Sequence, residues 1–338
     1  MYRIEEITDK NTWENFLLSE KVPTHPFFQS WSWGQVQKAL GHEIHRFGFY
    51  KKKDLLGVCL AVVVRARRGC YLHLRHGPLL SDFPNQFDSF LSQITPIAKR
   101  LRVDFIRLSP QLEPDEVSIA LLKKHGLRNA PVHNMDAENS LVLDVTESDE
   151  TLFSNMRKST RYLVRKAKNM PIEITKTVSD PDLSAFLNLY RITSKRHKFV
   201  PHRGMKEELA IFGADNQALL FLAKYEKKII AGALVIFYGK QAVYHHAASD
   251  DIYRDIPAPY LLQWEIIQEA KRRGMSEYNF WGVVPENKPK HPWQGLTMFK
   301  TGFGGKRVNY IHAQDLPLST SYWKTHMIET LWRIRRGY

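Results

Sequence analysis

The chain has 338 residues, 43% hydrophobic and 25% charged, enough for two ordinary domains with sizeable cores. No run approaches the ~18 uninterrupted apolar residues of a membrane span. Lysine and arginine (49) outnumber aspartate and glutamate (35), giving a net charge of +14. This suits polyanionic partners such as nucleic acid, nucleotide phosphates or anionic lipid, although a generally basic proteome gives the same balance.

The N-terminal "MYRIEEITDKNTW" carries acids where a signal peptide has a basic start and an apolar run, so a cytoplasmic location is expected. From residue 45, "HRFGFYKKKDLLGVCLAVVVRARRGCYLHLRHGPLL" reads as strand, lysine-rich turn, strand, short turn, strand. Its Cys59 and Cys70 have no metal-ligand spacing and read as reduced thiols. An amphipathic helix, "FDSFLSQITPIAKRLR" (87–102), ends in basic residues and feeds the strand "VDFIRLSP" and then "LLKKHGLRNA" (121–130). The next segment, "SDETLFSNMRKSTRYLVRKAKN" (148–169), can place Leu152, Met156, Leu163 and Val164 on one helical face. It carries Arg157, Lys158, Arg161, Arg165, Lys166 and Lys168 with no acid from Ser154 to Asn169. A solvated helix face is one reading. Phosphate or RNA contact is the other, because so many unpaired like charges repel one another until a polyanion neutralises them.

From residue 218 the first pattern returns. "ALLFLAKYEKKIIAGALVIFYGKQAVYHHAASDD" is a second meander, "PYLLQWEIIQEAKRRG" (259–274) a second basic-ended helix, and "SEYNFWGV" a second following strand. "MFKTGFGGKR" (298–307) then aligns Lys300-Thr301-Gly302-Phe303 with Lys124-His125-Gly126-Leu127. Four similar segments in one order at nearly constant offset point to internal duplication. The order is that of a GNAT-type acyltransferase domain. The expected fold class is therefore α+β, with two tandem GNAT-like domains: 1–145, completed by 312–338, and 146–311. A cleft is expected at or near their junction.

A GNAT domain holds coenzyme A pyrophosphate on backbone N–H groups in a glycine-bearing loop at a helix N-terminus. The second half offers "YRDIPAPY", in which Arg254 is followed by Pro257 and Pro259, and proline has no N–H to donate. "SDFPNQFD" in the first half is no better. "KTGFGG" falls late, where glycine caps a helix C-terminus. No coenzyme A and no other cofactor is expected. No metal cluster is expected either, since His245 and His246 lie on a strand, where neighbours point to opposite faces.

A paired GNAT architecture without this loop resembles the Fem family of tRNA-dependent peptidoglycan aminoacyltransferases. The matching pieces span the chain: "SWSWGQVQ", "RHGPLL" (75–80), "IRLSP" (106–110), "NMRKSTRYLVRKA" (155–167), "KRHKFVPHR" (195–203), "APYLLQWE" (258–265), "YNFWGV" (278–283) and "FKTGFGG" (299–305). The long coiled-coil arm of some members has no counterpart here. The resemblance implies transfer of an amino acid from aminoacyl-tRNA onto a stem-peptide amine of a peptidoglycan precursor, UDP-linked or lipid-linked. The expected protein is a monomer whose membrane contact, if any, is peripheral, at the inner face.

The same resemblance implies roles for individual residues. Phe299-Lys300 matches a pair linked to catalysis, Arg203 an arginine that holds the precursor diphosphate, and Tyr260 an acceptor-site tyrosine. Trp33 and Lys38 fall in the precursor region of the first domain, with Gln37 where a phosphate-binding lysine is expected. Arg157, Lys158, Arg161, Arg165 and Lys166 are implied as the tRNA contact. The chemistry also stands by itself: ester aminolysis develops a negative tetrahedral oxygen that a desolvated ammonium stabilises, and an aromatic face such as Phe299 can stack a base. The residues alone leave Lys300 a second role, neutralising a helix C-terminus, and His202 reads as structural. Ser109, Asn279 and Trp281 stand where Asp, Asp and Gly are common, which leaves the acceptor open to another natural-product or protein amine. A non-catalytic RNA-binding module explains the charge but not Phe299-Lys300.

Overall fold

A computed structural model describes residues 1–67, 69–132, 136–197, 200–286, 288 and 291–335. The chain divides into two compact units, Met1–Asn139 with Asn309–Tyr338, and Ser140–Val308.

The first unit begins with β1 (Tyr2–Glu6), α1 (Lys10–Leu17) and α2 (Trp31–Ala39), followed by the meander β2 (Glu43–Lys51), β3 (Asp54–Ala66) and β4 (Gly69–Arg75). A short β5 (Leu79–Leu80) leads into α3 (Phe83–Arg100), β6 (Phe105–Ser109), α4 (Glu116–Lys124) and β7 (Arg128–Asn129). Phe87, Phe90, Leu91, Ile94 and Ala98 recur on α3 at helical spacing and are buried against the sheet. Because α3 carries the chain back across that sheet, β6 lies parallel to β4, while β2 to β4 pair antiparallel.

The second unit starts with β8 (Asn139–Asp144), α5 (Asp149–Ser154) and α6 (Lys158–Lys168), then β9 (Ile172–Thr177), α7 (Asp180–His197) and α8 (Met205–Ala214). Its meander is β10 (Ala218–Tyr225), β11 (Lys228–Tyr238) and β12 (Gln241–Ser249). Next come α9 (Ala258–Arg272), β13 (Glu277–Gly282), α10 (Gln294–Thr301) and β14 (Lys306–Asn309). The chain then contributes β15 (Gln314–Pro317) and α11 (Tyr322–Arg335) to the first unit.

The two sheets have matching strand orders. The first reads β1-β2-β3-β4-β6-β15-β7, with β5 on β3; the second, from its far edge, reads β9-β10-β11-β12-β13-β8-β14. In each, a helix crosses from the third meander strand to a parallel neighbour: α3 between β4 and β6, α9 between β12 and β13. The architecture is α+β, with tandem GNAT-like domains.

Two expectations about local structure need correcting. Residues 148–169 are two helices, because Arg157 is extended (φ −55, ψ 141) and its N–H donates to the Gly302 carbonyl at 2.8 Å instead of continuing α5. On β12, Leu234 pairs with His246 but Val235 pairs with Tyr244, so His245 is an extra, bulged residue. A bulge breaks the alternation of side chains. His245 and His246 therefore both reach the same carboxylate, that of Glu208.

The C-terminal helix has an unusual orientation. Tyr322, Thr325 and Glu329 are buried, whereas Trp323, Met327, Leu331, Trp332 and Ile334 are exposed. Its polar side is anchored by Arg107 on β6, whose guanidinium bonds Asp315 at 2.7 and 2.8 Å and Glu329 at 2.8 Å. Among the described residues no helix is long and apolar enough to cross a membrane.

Candidate functional site

The glycines of "FKTGFGG" serve packing and turning. Gly302 caps α10, and a Cβ there would stand 2.3 Å from Thr160 Oγ1, so only glycine lets α6 approach this closely. Gly304 and Gly305 have φ of +92 and +95, left-handed values that glycine adopts freely on the way into β14.

Lys300, in the last turn of α10, is only 3% exposed. Its ammonium donates to the Gly282 carbonyl at the end of β13, at 2.7 Å. Burial favours the neutral amine and pushes its pKa down to about 7. The aligned lysine of the first unit, Lys124, is exposed and pairs with Asp88 at 2.9 Å. Only one copy of the duplicated motif holds a desolvated amine.

Phe299 meets Tyr260 edge-on at 5.0 Å between ring centroids and Phe303 at 5.5 Å. Burial raises the Tyr260 phenol pKa, and the nearby positive charge of Arg157 opposes that rise. Arg157 donates to the Met298 carbonyl and to Thr301 Oγ1, both at 3.2 Å, fastening α6 to α10. Arg157, Tyr260 and Phe299 are thus brought together within the second unit, at the turn of α10 that carries Lys300. At the start of α9, Pro259 offers no N–H, and the Tyr260 N–H is turned onto the Pro257 carbonyl at 3.0 Å.

The basic residues of α6 divide by task. Arg161 bonds the Met156 carbonyl at 2.8 Å and also the Ser154 carbonyl, so with Arg157 it closes the break after α5. With Thr160, Val164 and Ala167 buried, Lys158, Arg165 and Lys166 project outward around Tyr162, which is 63% exposed. No sequence motif marked Tyr162. The spacing Lys158-Tyr162-Lys166 was the available signal, since residues four apart share a helix face.

In the first unit Trp33 is buried, and the Arg75 guanidinium lies 5.5 Å from its ring and 3.4 Å from that of Phe28. Arg75 also pairs with Asp136, to which the Ser109 hydroxyl donates at 2.9 Å. A carboxylate therefore stands beside Ser109, supplied by a residue 27 positions along the chain. No sequence motif marked Asp136, and Arg75 opens "RHGPLL" without a role that the motif itself suggests. Lys38 is exposed in the last turn of α2.

Arg203 is exposed, just before α8. Its neighbour His202 reaches Glu208 at 2.9 Å, His245 reaches the same carboxylate at 3.0 Å and His246 at 3.2 Å. His245 packs edge-on against Trp281 at 5.4 Å, and Trp281 precedes the glycine whose carbonyl holds Lys300. Trp281 has φ +67, a left-handed conformation that a side chain resists, and its N–H is held by Asn279 Oδ1 at 2.8 Å.

The fold and these residues define a tandem GNAT-like protein. Its backbone is similar to the crystal structure of FemX, with a TM-score of 0.82 at 18% identity over 97% of this chain and 100% of that one. It is also similar to a tandem GNAT protein from the clavulanic acid biosynthesis pathway, with a TM-score of 0.56 at 10% identity over 94% and 98% of the two chains. Among curated proteins it is 20% identical to a lipid II:glycine glycyltransferase of Staphylococcus epidermidis, covering 91% of this chain and 92% of that one. The FemAB family model matches residues 8–205 and 213–330. The chain belongs to the FemAB family.

Proposed function

We propose that this protein transfers an amino acid from aminoacyl-tRNA onto an amine of a peptidoglycan-precursor stem peptide. The observation that carries this reading is the buried Lys300, next to Phe299 on α10, in a FemAB-family fold. In the proposed reaction the acceptor amine attacks the ester carbonyl and the Lys300 ammonium stabilises the oxyanion as it forms. The deprotonated amine is the nucleophile, and its remaining proton passes to water or to the departing ribose hydroxyl. Phe299 forms the wall against the terminal adenosine, Tyr260 stands in the acceptor site, and Arg203 takes the precursor diphosphate with its planar fork. Trp33 and Lys38 belong to the precursor side. Purified protein supplied with charged tRNA and a nucleotide-linked or lipid-linked stem peptide should give an aminoacylated peptide. The same mixture with acetyl-CoA in place of charged tRNA should give no acylated product. Acylation from acetyl-CoA alone defeats this reading.

The tRNA side of the proposal rests on α6. Replacing Lys158, Arg165 and Lys166 together with glutamine should weaken tRNA binding and flatten its salt dependence. The log–log slope should fall by roughly 0.7–0.9 for each phosphate that is no longer neutralised. Arg157 and Arg161 are kept, because they hold the helix break together. An unchanged slope makes this a solvated helix face.

A lipid-linked acceptor fits the outward apolar side of α11. Trp323, Met327, Leu331 and Trp332 are exposed alongside Lys324 and Arg335, the pattern of a helix that lies in an anionic bilayer surface. The protein should sediment with phosphatidylglycerol vesicles, and a Trp323→Ser, Leu331→Ser, Trp332→Ser variant should not. Self-association without vesicle binding assigns the face to a second copy instead.

A further inference from the structure

The bulge in β12 is a specific device. It places an extra residue on a strand so that both His245 and His246 turn to one buried carboxylate. His202, from the segment before α8, reaches that carboxylate from a side chain 34% exposed. The ligating atoms of His202, Glu208 and His246 all lie within 4.8 Å of one another. Zinc bound at about 2.0–2.2 Å in tetrahedral geometry sets its ligand atoms roughly 3.3 Å apart. Here His202 Nε2 and His246 Nε2 stand 2.9 and 3.5 Å from Glu208 Oε1, within a few tenths of that separation.

We infer that His202, Glu208 and His246 form a three-ligand site for a divalent transition metal, with zinc favoured by the donor set. Two imidazole nitrogens and one carboxylate are a usual zinc set that leaves one coordination position open. His245 does not complete the trio. Its Nδ1 lies 3.0 Å from Glu208 Oε2, the place of an outer hydrogen bond that orients a ligating carboxylate. Two ligands are buried and the third is partly exposed, which provides both a dry site and a way in. The metal ties the segment before α8 to α8 and to β12. Arg203 follows directly on a ligand, and His245 packs against Trp281. The site positions the parts around Lys300 without touching the reacting atoms.

The test uses the untagged full chain, stripped with a chelator and dialysed against zinc. The wild type should retain about one zinc per chain, with a melting temperature that rises on zinc addition and falls back with chelator. His202→Ala changes a partly exposed side chain and should fold, yet lose zinc affinity by roughly a hundredfold or more. His245→Gln keeps all three ligands and should lose about 10–100-fold, the range for an outer hydrogen bond to a ligand. Glu208→Gln should abolish the thermal response. Failure of the wild type to retain zinc overturns the proposal, and so does equal zinc binding by wild type and His202→Ala. Retention is read without any transfer assay, so an inactive protein that binds zinc counts against the proposed reaction and leaves this site standing.

Discussion

Lys300→Met is expected to lower the single-turnover rate of aminoacyl transfer by roughly a hundredfold or more, the scale of losing one oxyanion-stabilising donor. Both substrates should still bind, because the interaction strengthens only as charge develops on the carbonyl oxygen. The pKa of about 7 adds a second signature. The charged form does the stabilising, so the wild-type rate should fall as pH rises through about 7, a limb that Lys300→Met lacks. Deprotonation of the acceptor amine supplies a rising limb in both proteins. Stability moves in the opposite sense. Between about 7 and the ordinary 10.5 the folded chain binds fewer protons than the unfolded chain at this position, so wild-type stability relative to the variant rises with pH across that window. Methionine fills a similar volume and removes a buried cation, at the expense of leaving the Gly282 carbonyl without its donor, about 1–3 kcal/mol. Near-normal turnover with a small stability change would identify Lys300 as a packing residue.

The repeat made much of this legible beforehand. The meanders, both crossover helices and the strands after them fall where hydrophobic periodicity puts them: α9 occupies Ala258–Arg272 against an expected 259–274, and α3 starts four residues before its expected 87. The late glycines were readable as a helix cap because the duplication fixed their place. Other features were hidden because they depend on contacts distant in sequence. The break between α5 and α6 is made by the Gly302 carbonyl, which no local pattern announces. The bulge at His245 is a matter of pairing register with β11, and period-two reasoning assumes there is none. Asp136 reaches Ser109 from 27 residues away, and Arg161 proved to be occupied by carbonyls of its own neighbourhood. Burial of Lys300 is the most instructive case. Its counterpart Lys124 occupies the same motif position, and only tertiary packing distinguishes a desolvated amine from a surface ion pair.

Arg107→Met is expected to destabilise the protein by about 3–5 kcal/mol, the usual penalty for removing one partner from a buried ionic group. Arg107 is 2% exposed and holds two carboxylates, Asp315 and Glu329, both also buried. Methionine leaves those two charges facing each other without a cation. They can escape only by taking up protons, so the loss should be smaller in acid than at neutral pH. Urea unfolding at both pH values measures this. Substituting leucine for Asp315 and Glu329 in the same variant should recover most of the loss, because an apolar replacement of a whole buried ionic group is often neutral or better. A single variant within ~0.5 kcal/mol of wild type, the range of ordinary surface changes, counts against the triad as the anchor of α11.

The anchor also has a timetable. Arg107 and its partners are separated by 208 and 222 residues. At the ~5–20 residues per second of synthesis, the guanidinium waits on the order of ten to forty seconds for Asp315 to be made. For that interval β6 has β4 on one side and an open edge on the other, with a cation pointing into a site not yet built. The second unit is continuous from Ser140 to Val308, so its chain is finished before β15 exists. The half that is translated first is completed last. An unclosed sheet edge invites pairing with other chains, so nascent protein is most exposed to aggregation while the second unit is being made. A chain ending at residue 308, tethered to a stalled ribosome by a flexible linker long enough to clear the exit tunnel, should show a protease-resistant second unit and a first unit that is still cleavable.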